Sequence, residues 1–298
     1  MSQFQTIGII AKQGEPSKVG ATLNRLVAFL RARHREVYFD ATGGAILGCP
    51  EDRVLDASAM GLRCALAVAV GGDGTLLKAA RALAGAGVPL VGINLGRLGF
   101  LVDISPAEIE TRLDEILSGE YQEEARSMLC ARASGEGARP GSLLALNDVV
   151  VHKWSTARMI EFETYINGVF VNAQRSDGII VSTPTGSTAY ALSGGGPLLH
   201  PRLDALVLVP ICPHTLSNRP LVVDGSSRIE IRVCAADNSQ VEIACDGHNR
   251  LPIEPHARVS VERSPHAVRL LHPKGHDHYK ILRAKLGWGG HPMGPRPC

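Results

Sequence analysis

The chain has 298 residues, 45% of them hydrophobic, which is enough material for two cores rather than one. Its 31 basic and 29 acidic side chains leave a net charge of +2, so no global field recruits nucleic acid or an anionic membrane. The N-terminus carries no basic, apolar leader, no apolar run reaches the ~18 residues of a membrane helix, and seven scattered cysteines show no Cys-x-x-Cys pair. Together these features read as a cytosolic protein with reduced thiols and no zinc site.

In chain order, Thr6 to Ala11 (TIGIIA) predicts a strand, and Leu23, Leu26, Val27 and Leu30 form the apolar stripe of a helix over 21–30. Residues 36–40, 64–70 and 88–94 predict three more strands with helical or loop segments between them, the pattern of an open parallel α/β sheet. Residues 70–78 read Val-Gly-Gly-Asp-Gly-Thr-Leu-Leu-Lys and fall between the strand at 64–70 and a helix over 75–84. Such a turn aims backbone N–H groups and a helix N-terminus at an anion, and glycine lets a phosphate approach where a Cβ would clash. Gly71, Gly72 and Thr75 are therefore the candidate phosphate loop. A carboxylate repels phosphate unless a metal ion or a proton transfer employs it, which singles out Asp73. The plainer reading is a tight turn with an N-capping Asp, because the loop matches neither the P-loop nor the dinucleotide glycine pattern. Ser105-Pro106-Ala107-Glu108 forms a capping box ahead of an apolar face of Ile109, Leu113, Ile116 and Leu117, in a helix ending near Ser118-Gly119.

From Arg126 the hydrophobic period changes to two, with strands expected at 142–153, 160–166, 169–173, 229–234, 241–245 and 259–262, and Asn167-Gly168 as a type I′ hairpin turn. Asn147-Asp148 interrupts an apolar strand, and both side chains need partners if buried. A ligand would supply them, and a bulge or hairpin edge is the alternative. Residues 176–197 gather Thr183, Thr185, Ser187, Thr188 and three consecutive glycines on a tightly turned backbone, suited to a nucleotide, or else a long loop held by Ser/Thr turns. His272, His276 and His278 lack a helical i, i+4 pair, so no metal site is expected there. Residues 281–286 suggest a short helix packing back on the first domain, and 289–298 a disordered tail.

With these motifs in order, the chain resembles the bacterial NAD kinases in GGDGTLL (71–77), NLGRLGFL (94–101), ALND (145–148), RSDGIIVSTPTGSTAYALSGGGP (175–197), LSNRPLV (216–222), Asp246-Gly247 and HDHYKILRAKLGW (276–288). Diacylglycerol kinases and phosphofructokinases share only the GGDG-type loop. The resemblance implies a Rossmann-like α/β domain, 1–125 plus 271–298, and a β-sandwich-like domain, 126–270, that binds NAD. It implies phosphorylation of NAD at the adenosine 2′-hydroxyl by ATP with a divalent ion, Mg²⁺, in a cytoplasmic homodimer or homotetramer that binds neither nucleic acid nor membrane. It further implies Asp73 as catalytic base, and Gly74, Phe100, Asn147, Asp148, Asp177, Thr185, Thr188, Ala189, Tyr190 and Ser193 as NAD contacts. Two positions depart from the family pattern: Asp148 stands where a Glu is common, and His248 where a Gln is common. Since Asp73 falls in the first domain and Asn147, Asp148 and the contacts from Asp177 to Ser193 in the second, a composite site is expected.

Overall fold

Apolar, β-branched runs form the central strands of the first unit, in the order β1 (Thr6–Ala11), α1 (Pro16–Ala32), β2 (Glu36–Phe39), α2 (Ala41–Leu47), α3 (Ala57–Arg63), β3 (Leu66–Val70), α4 (Asp73–Ala82), β4 (Leu90–Ile93) and α5 (Ile109–Leu117). This is a computed structural model that describes residues 3–96, 98–135, 141–154, 159–215, 217–234, 241–254 and 256–288. The expected disordered tail lies outside these residues. The chain divides into two compact units, 1–125 with 268–298, and 126–267.

In the first unit β2, β1, β3 and β4 are parallel neighbours in that order. Every residue of β3 and β4 is buried, as expected of a parallel sheet covered on both faces. Ile7, Ile9, Val68 and Ile93 pack with Leu23 and Leu30 of α1 and Leu113 and Ile116 of α5. On the other face a Cβ at Gly8 would press into Met60 of α3. The helix expected over 21–30 starts earlier, at Pro16, where proline fits the first turn. The capping box takes a different form: Ser105 Oγ donates to the Glu108 carboxylate, a 3-10 turn spans Pro106–Glu108, and α5 begins only at Ile109. The short α2 escapes prediction because two of its seven residues are glycines. Its N-cap, Asp40, accepts from Gly43 N at 2.8 Å and also from Ala11 N at 3.1 Å, tying the helix to the end of β1.

The second unit contains β5 (Tyr121–Ser134, which enters from the first unit), β6 (Leu143–Ala145), β7 (Asp148–Lys153), β8 (Ile160–Ile166), β9 (Val169–Ser176), β10 (Gly178–Ser182), α6 (Tyr190–Ser193), β11 (Ala205–Ile211), β12 (Leu221–Asp224), β13 (Ile229–Val233), β14 (Val241–Cys245), β15 (Asn249–Ile253) and the start of β16 (Arg258–Pro273). One antiparallel sheet runs β12-β11-β10-β7-β14-β15, and β16, β13, β8 and β9 are neighbours in another. Val149, Val151, Ile179, Val181 and Ile243 of the first meet Phe162, Ile229, Ile231 and Val259 of the second in one core. The reverse face of the first sheet is also covered, with Val150, Ile180, Val207 and Val209 packed against Ala191 and Leu199. Burial on both faces explains why β7 and β10 read as continuous apolar runs instead of alternating.

The strand expected over 142–153 is split into β6 and β7 at Leu146-Asn147. Asn167 (φ 52°) and Gly168 (φ 80°) make the turn between β8 and β9, both in the left-handed region that a type I′ turn requires. β5, β11, β12 and β15 are additional to the expected strands; β15 carries Pro252, and β5 opens on a polar stretch. The end of β16 belongs to the first unit, where Leu270 pairs in parallel with Leu90 of β4, and α7 (His278–Leu286) follows, N-capped by Asp277. Among the described residues no helix is long and apolar enough to cross a membrane.

Asp40→Ala removes both the cap of α2 and the partner of Ala11 N. We expect it to lower unfolding stability by about 1–2 kcal/mol, read as a drop in urea midpoint with unchanged slope.

Candidate active site

In the first unit β3 ends at Val70 and the chain turns into α4 through the glycine loop. Gly71 N donates to Ile93 O at 2.9 Å, and a Cβ there would collide with Thr75 and Lys12, so this glycine serves close packing. Gly72 and Gly74 face open space, which leaves the start of the helix approachable. A cavity of about 340 Å³ lies here, lined by Lys12, Glu15, Lys18, Gly71, Gly72 and Leu95. Lys12 Nζ pairs with Glu15 at 2.8 Å. Thr75 is buried beneath the turn.

Asp73 is the first residue of α4, and its carboxylate is held from outside the helix. Oδ2 accepts from Phe100 N at 2.9 Å, and Oδ1 accepts from Leu101 N at 3.1 Å and Val102 N at 3.2 Å. The spacing of the loop thus gives only half of the arrangement; the other half comes from the segment after β4. Lys285 of α7 stands over the Phe100 ring, 5.3 Å from its centroid. His272 and His276, but not His278, meet at Asp103.

In the second unit the site lies on the face of the sheet that points away from the sandwich core. Val149 and Val151 of β7, with Ile243 and Cys245 of β14, enter that core. The alternate positions face the other way in cross-strand rows: Val150 opposite Ala244, and His152 opposite Glu242. Asp246 N bonds Asp148 O at 3.0 Å, continuing the ladder to a third row. Arg250 of β15 lies opposite Ala244. Asn147, Asp148, Val150, His152, Ala244, Asp246, Gly247 and Arg250 line a cavity of about 330 Å³, bordered also by Ala189 and Tyr190.

Asp246 organises this end of the cavity. It accepts from Leu146 N (3.1 Å), Asn147 N (2.8 Å) and Asp148 N (3.3 Å), and so fixes the break between β6 and β7. Asp148, 4% exposed, is left beside it, and burial followed by the charge of Asp246 pushes its carboxyl up to about 7. Asn147 Oδ1 is buried without a partner, an acceptor available to a donor entering the cavity. At the other end Glu242, 2% exposed, lies 3.3 Å from His152 Nε2 and 3.4 Å from Arg250 Nη1.

The structure therefore brings together Asn147, Asp148, Ala189 and Tyr190, and Tyr190 is half exposed at 46%. Thr185 is buried and its hydroxyl accepts from Arg126 Nη1 of β5 at 3.3 Å, whereas Thr188 Oγ1 donates to Thr185 O at 3.1 Å within the turn. Ser187 Oγ also bonds within the turn, to Pro184 O, and Thr183 Oγ1 accepts from Gly186 N while donating across to Leu146 O. Ser193 is exposed at the end of α6. Asp177 precedes β10 at the end opposite the turn, where Lys153 Nζ pairs with it at 2.6 Å; it is not among the residues that line the cavity. His152, Glu242, Ala244 and Arg250 were not expected; for Glu242 and Ala244 the signal was the alternation Glu-Ala-Asp at 242, 244 and 246 against Val-Ile-Cys at 241, 243 and 245.

Comparison with known proteins follows the same two halves. The ATP-NAD kinase N-terminal domain matches residues 7–121, and the ATP-NAD kinase C-terminal domain matches 146–273. The chain is 49% identical over 288 residues to the NAD kinase of Hahella chejuensis, covering 97% of each. It is 46% identical over 291 residues to that of Chromohalobacter salexigens, covering 97% of this chain and 98% of the relative. Among solved structures, yeast NADH kinase complexed with NADH superposes with a TM-score of 0.87, over 99% of this chain and 94% of that one, and at 23% identity is a likeness of fold. An NAD kinase from Archaeoglobus fulgidus in complex with ATP gives a TM-score of 0.72 at 26% identity, over 95% and 97%.

A Cβ on Gly99 would collide with Asp73 Oδ1. Gly99→Ala should displace that carboxylate, lower kcat by about 10²-fold and, through the lost amide bonds, lower the melting temperature as well; steady-state kinetics at a temperature where the variant stays folded, beside a thermal melt, checks this. Asp148 titrates at about 7 in the fold against an ordinary 3.8. Its contribution to stability is therefore fully present below about 4 and is lost as pH rises through about 7. Asp148→Asn should gain stability relative to the parent between pH 5 and pH 8, by at most ~3 kcal/mol. Paired denaturation curves at the two pH values give the sign directly.

Proposed function

We propose, for a chain that belongs to the ATP-NAD kinase family and phosphorylates NAD with ATP at the adenosine 2′-hydroxyl to give NADP, that Asp73 is the group that takes the acceptor's proton. The observation that carries this is the grip of three backbone N–H groups on the Asp73 carboxylate at the first turn of a phosphate-facing helix. A carboxylate so held keeps one direction, and Oδ2, with one donor against two on Oδ1, retains accepting capacity for a hydroxyl. In the reaction the ribose 2′-oxygen bonds to the γ-phosphorus, the bond from that phosphorus to the β–γ bridging oxygen breaks, ADP leaves, and the hydroxyl proton passes to Asp73.

Gly71, Gly72 and Thr75 form the phosphate loop, and the cavity that Lys12 and Lys18 line beside the glycines supports that role. The donor is taken as its Mg²⁺ complex, the ion arriving on the triphosphate as part of the substrate. Glu15 is the one carboxylate among the described lining residues, and it is already paired with Lys12. Gly74 and Phe100 flank Asp73 and meet the NAD ribose.

In the second unit Asn147 and Asp148 receive the hydroxyls of a ribose, supported by the unpartnered Asn147 Oδ1. Ala189 and Tyr190 supply the wall of that cavity, with an aromatic face suited to a planar base. Thr185, Thr188 and Ser193, on or beside the turn that carries them, and Asp177 are further NAD contacts. The described cysteines are all free, which supports a reducing, cytoplasmic setting. Val169, Phe170 and Val171 are exposed on β9 at the edge of its sheet, which supports a homodimer or homotetramer.

Asp73→Asn tests the central assignment. It should lower kcat by about 10²–10⁴-fold while NAD still raises the melting temperature. A variant that kept the parental kcat would remove Asp73 from the chemistry.

A further inference from the structure

The segment that grips Asp73 is anchored one residue further on. Asp103 directly follows Val102, the third amide donor, and its Oδ2 accepts from His272 Nδ1 at 3.1 Å and from His276 Nδ1 at 2.8 Å. Since an ionised carboxylate can only accept, both imidazoles carry a proton on Nδ1. Burial pushes the Asp103 carboxyl up, but the hydrogen bonds from His272 and His276 and their charge outweigh it and hold it at about 2. Both histidine side chains are buried, 2% and 4% exposed, and their rings stack with centroids 3.8 Å apart and planes 24° from parallel. His272 comes from β16 and His276 from the turn before α7. The backbone of the same segment is tied to β4 through Asn94 N to Ile104 O at 2.8 Å and closed on itself through Gly99 N to Val102 O at 3.1 Å.

We propose that Asp103, His272 and His276 form a positioning clamp for Asp73. The clamp fixes residues 100–102, and their three N–H groups set the direction of the carboxylate. The inference rests on the assignment of Asp73 as the proton acceptor. The clamp residues act through the loop and are not themselves assigned to the substrate. Three donors converging on one place would also suit a metal ion. The stacking disfavours it, because the in-plane lone pairs of stacked rings run side by side, whereas a tetrahedral ion needs them to converge.

The decisive comparison is His276→Leu against His276→Asn, with the same pair at His272, in the full-length protein. Asparagine keeps an N–H close to the place of Nδ1, and leucine keeps only bulk. Leucine should lower kcat by about 10²-fold with KM for NAD changed less than about twofold, and should speed hydrogen exchange in peptides covering 99–104. Asparagine should restore most of kcat and slow that exchange again. Parental kcat in the leucine variants overturns the clamp, and so does a loss of kcat without faster exchange at 99–104. Stoichiometric metal in the parent protein, absent from His276→Leu, overturns it in favour of a metal centre. Asp73→Asn run alongside separates the two failures. If it retains kcat, the assignment of Asp73 falls; if it is inactive while His276→Leu is fully active, the clamp alone falls.

Discussion

A carboxylate that accepts three backbone N–H groups loses its rotational freedom and ties together stretches of chain far apart in sequence, and each unit of this protein is arranged around one such group. Asp73 gathers the amides of residues 100–102, two on one oxygen and one on the other. Asp246 gathers those of residues 146–148 with the same division. Hydrogen bonds to a charged acceptor are stronger than neutral ones, which helps offset the left-handed backbone that Asp246 adopts at φ 50°. In both cases the fixed segment carries residues assigned to the substrate, Phe100 in one and Asn147-Asp148 in the other.

The two aspartates differ in what they leave behind. Asp246 takes the amides at the break between β6 and β7, so the neighbouring carboxylate, Asp148, is buried beside a negative charge without those donors. Its proton affinity rises for that reason, and an acceptor poised near neutrality results. Asp73 has no second carboxylate among the groups bonded to it. One unit therefore holds a carboxylate oriented by amides, and the other a carboxylate whose charge depends on pH.

Much of this was legible in the sequence where chemistry is local. Glycine placement at 71, 72 and 74 located the strand-to-helix turn, and the Asn167-Gly168 pair located a hairpin, because both depend on backbone conformations that few residues allow. The apolar runs of β1, β3 and β7 gave strands, yet their burial on two faces erased the alternation that would have told core from site. The hydroxyls of 183–188 drew attention as ligand groups, but those of Thr183 and Ser187 are taken up by backbone groups of the turn and of the β6/β7 break. What stayed hidden was the set of long-range partners: nothing around Asp73 announces that residues 100–102 close on it, and nothing around His272 and His276 announces Asp103, 169 residues away from the first of them. Those pairings are made by sheet order and by the return of the chain through β16, which no local pattern encodes.

The rows Asp148–Asp246, Val150–Ala244 and His152–Glu242 are interleaved, residue by residue, with the buried positions 149, 151, 243 and 245. Site and hydrophobic interior are thus two sides of the same two strands. Sliding β7 against β14 by one position would turn Asp148 and His152 into the apolar interior and Val149 and Val151 out into the cavity. Folding stability and a correctly formed site consequently select the same strand pairing, so a chain that mispairs here forfeits both at once and does not persist as a stable but inactive species.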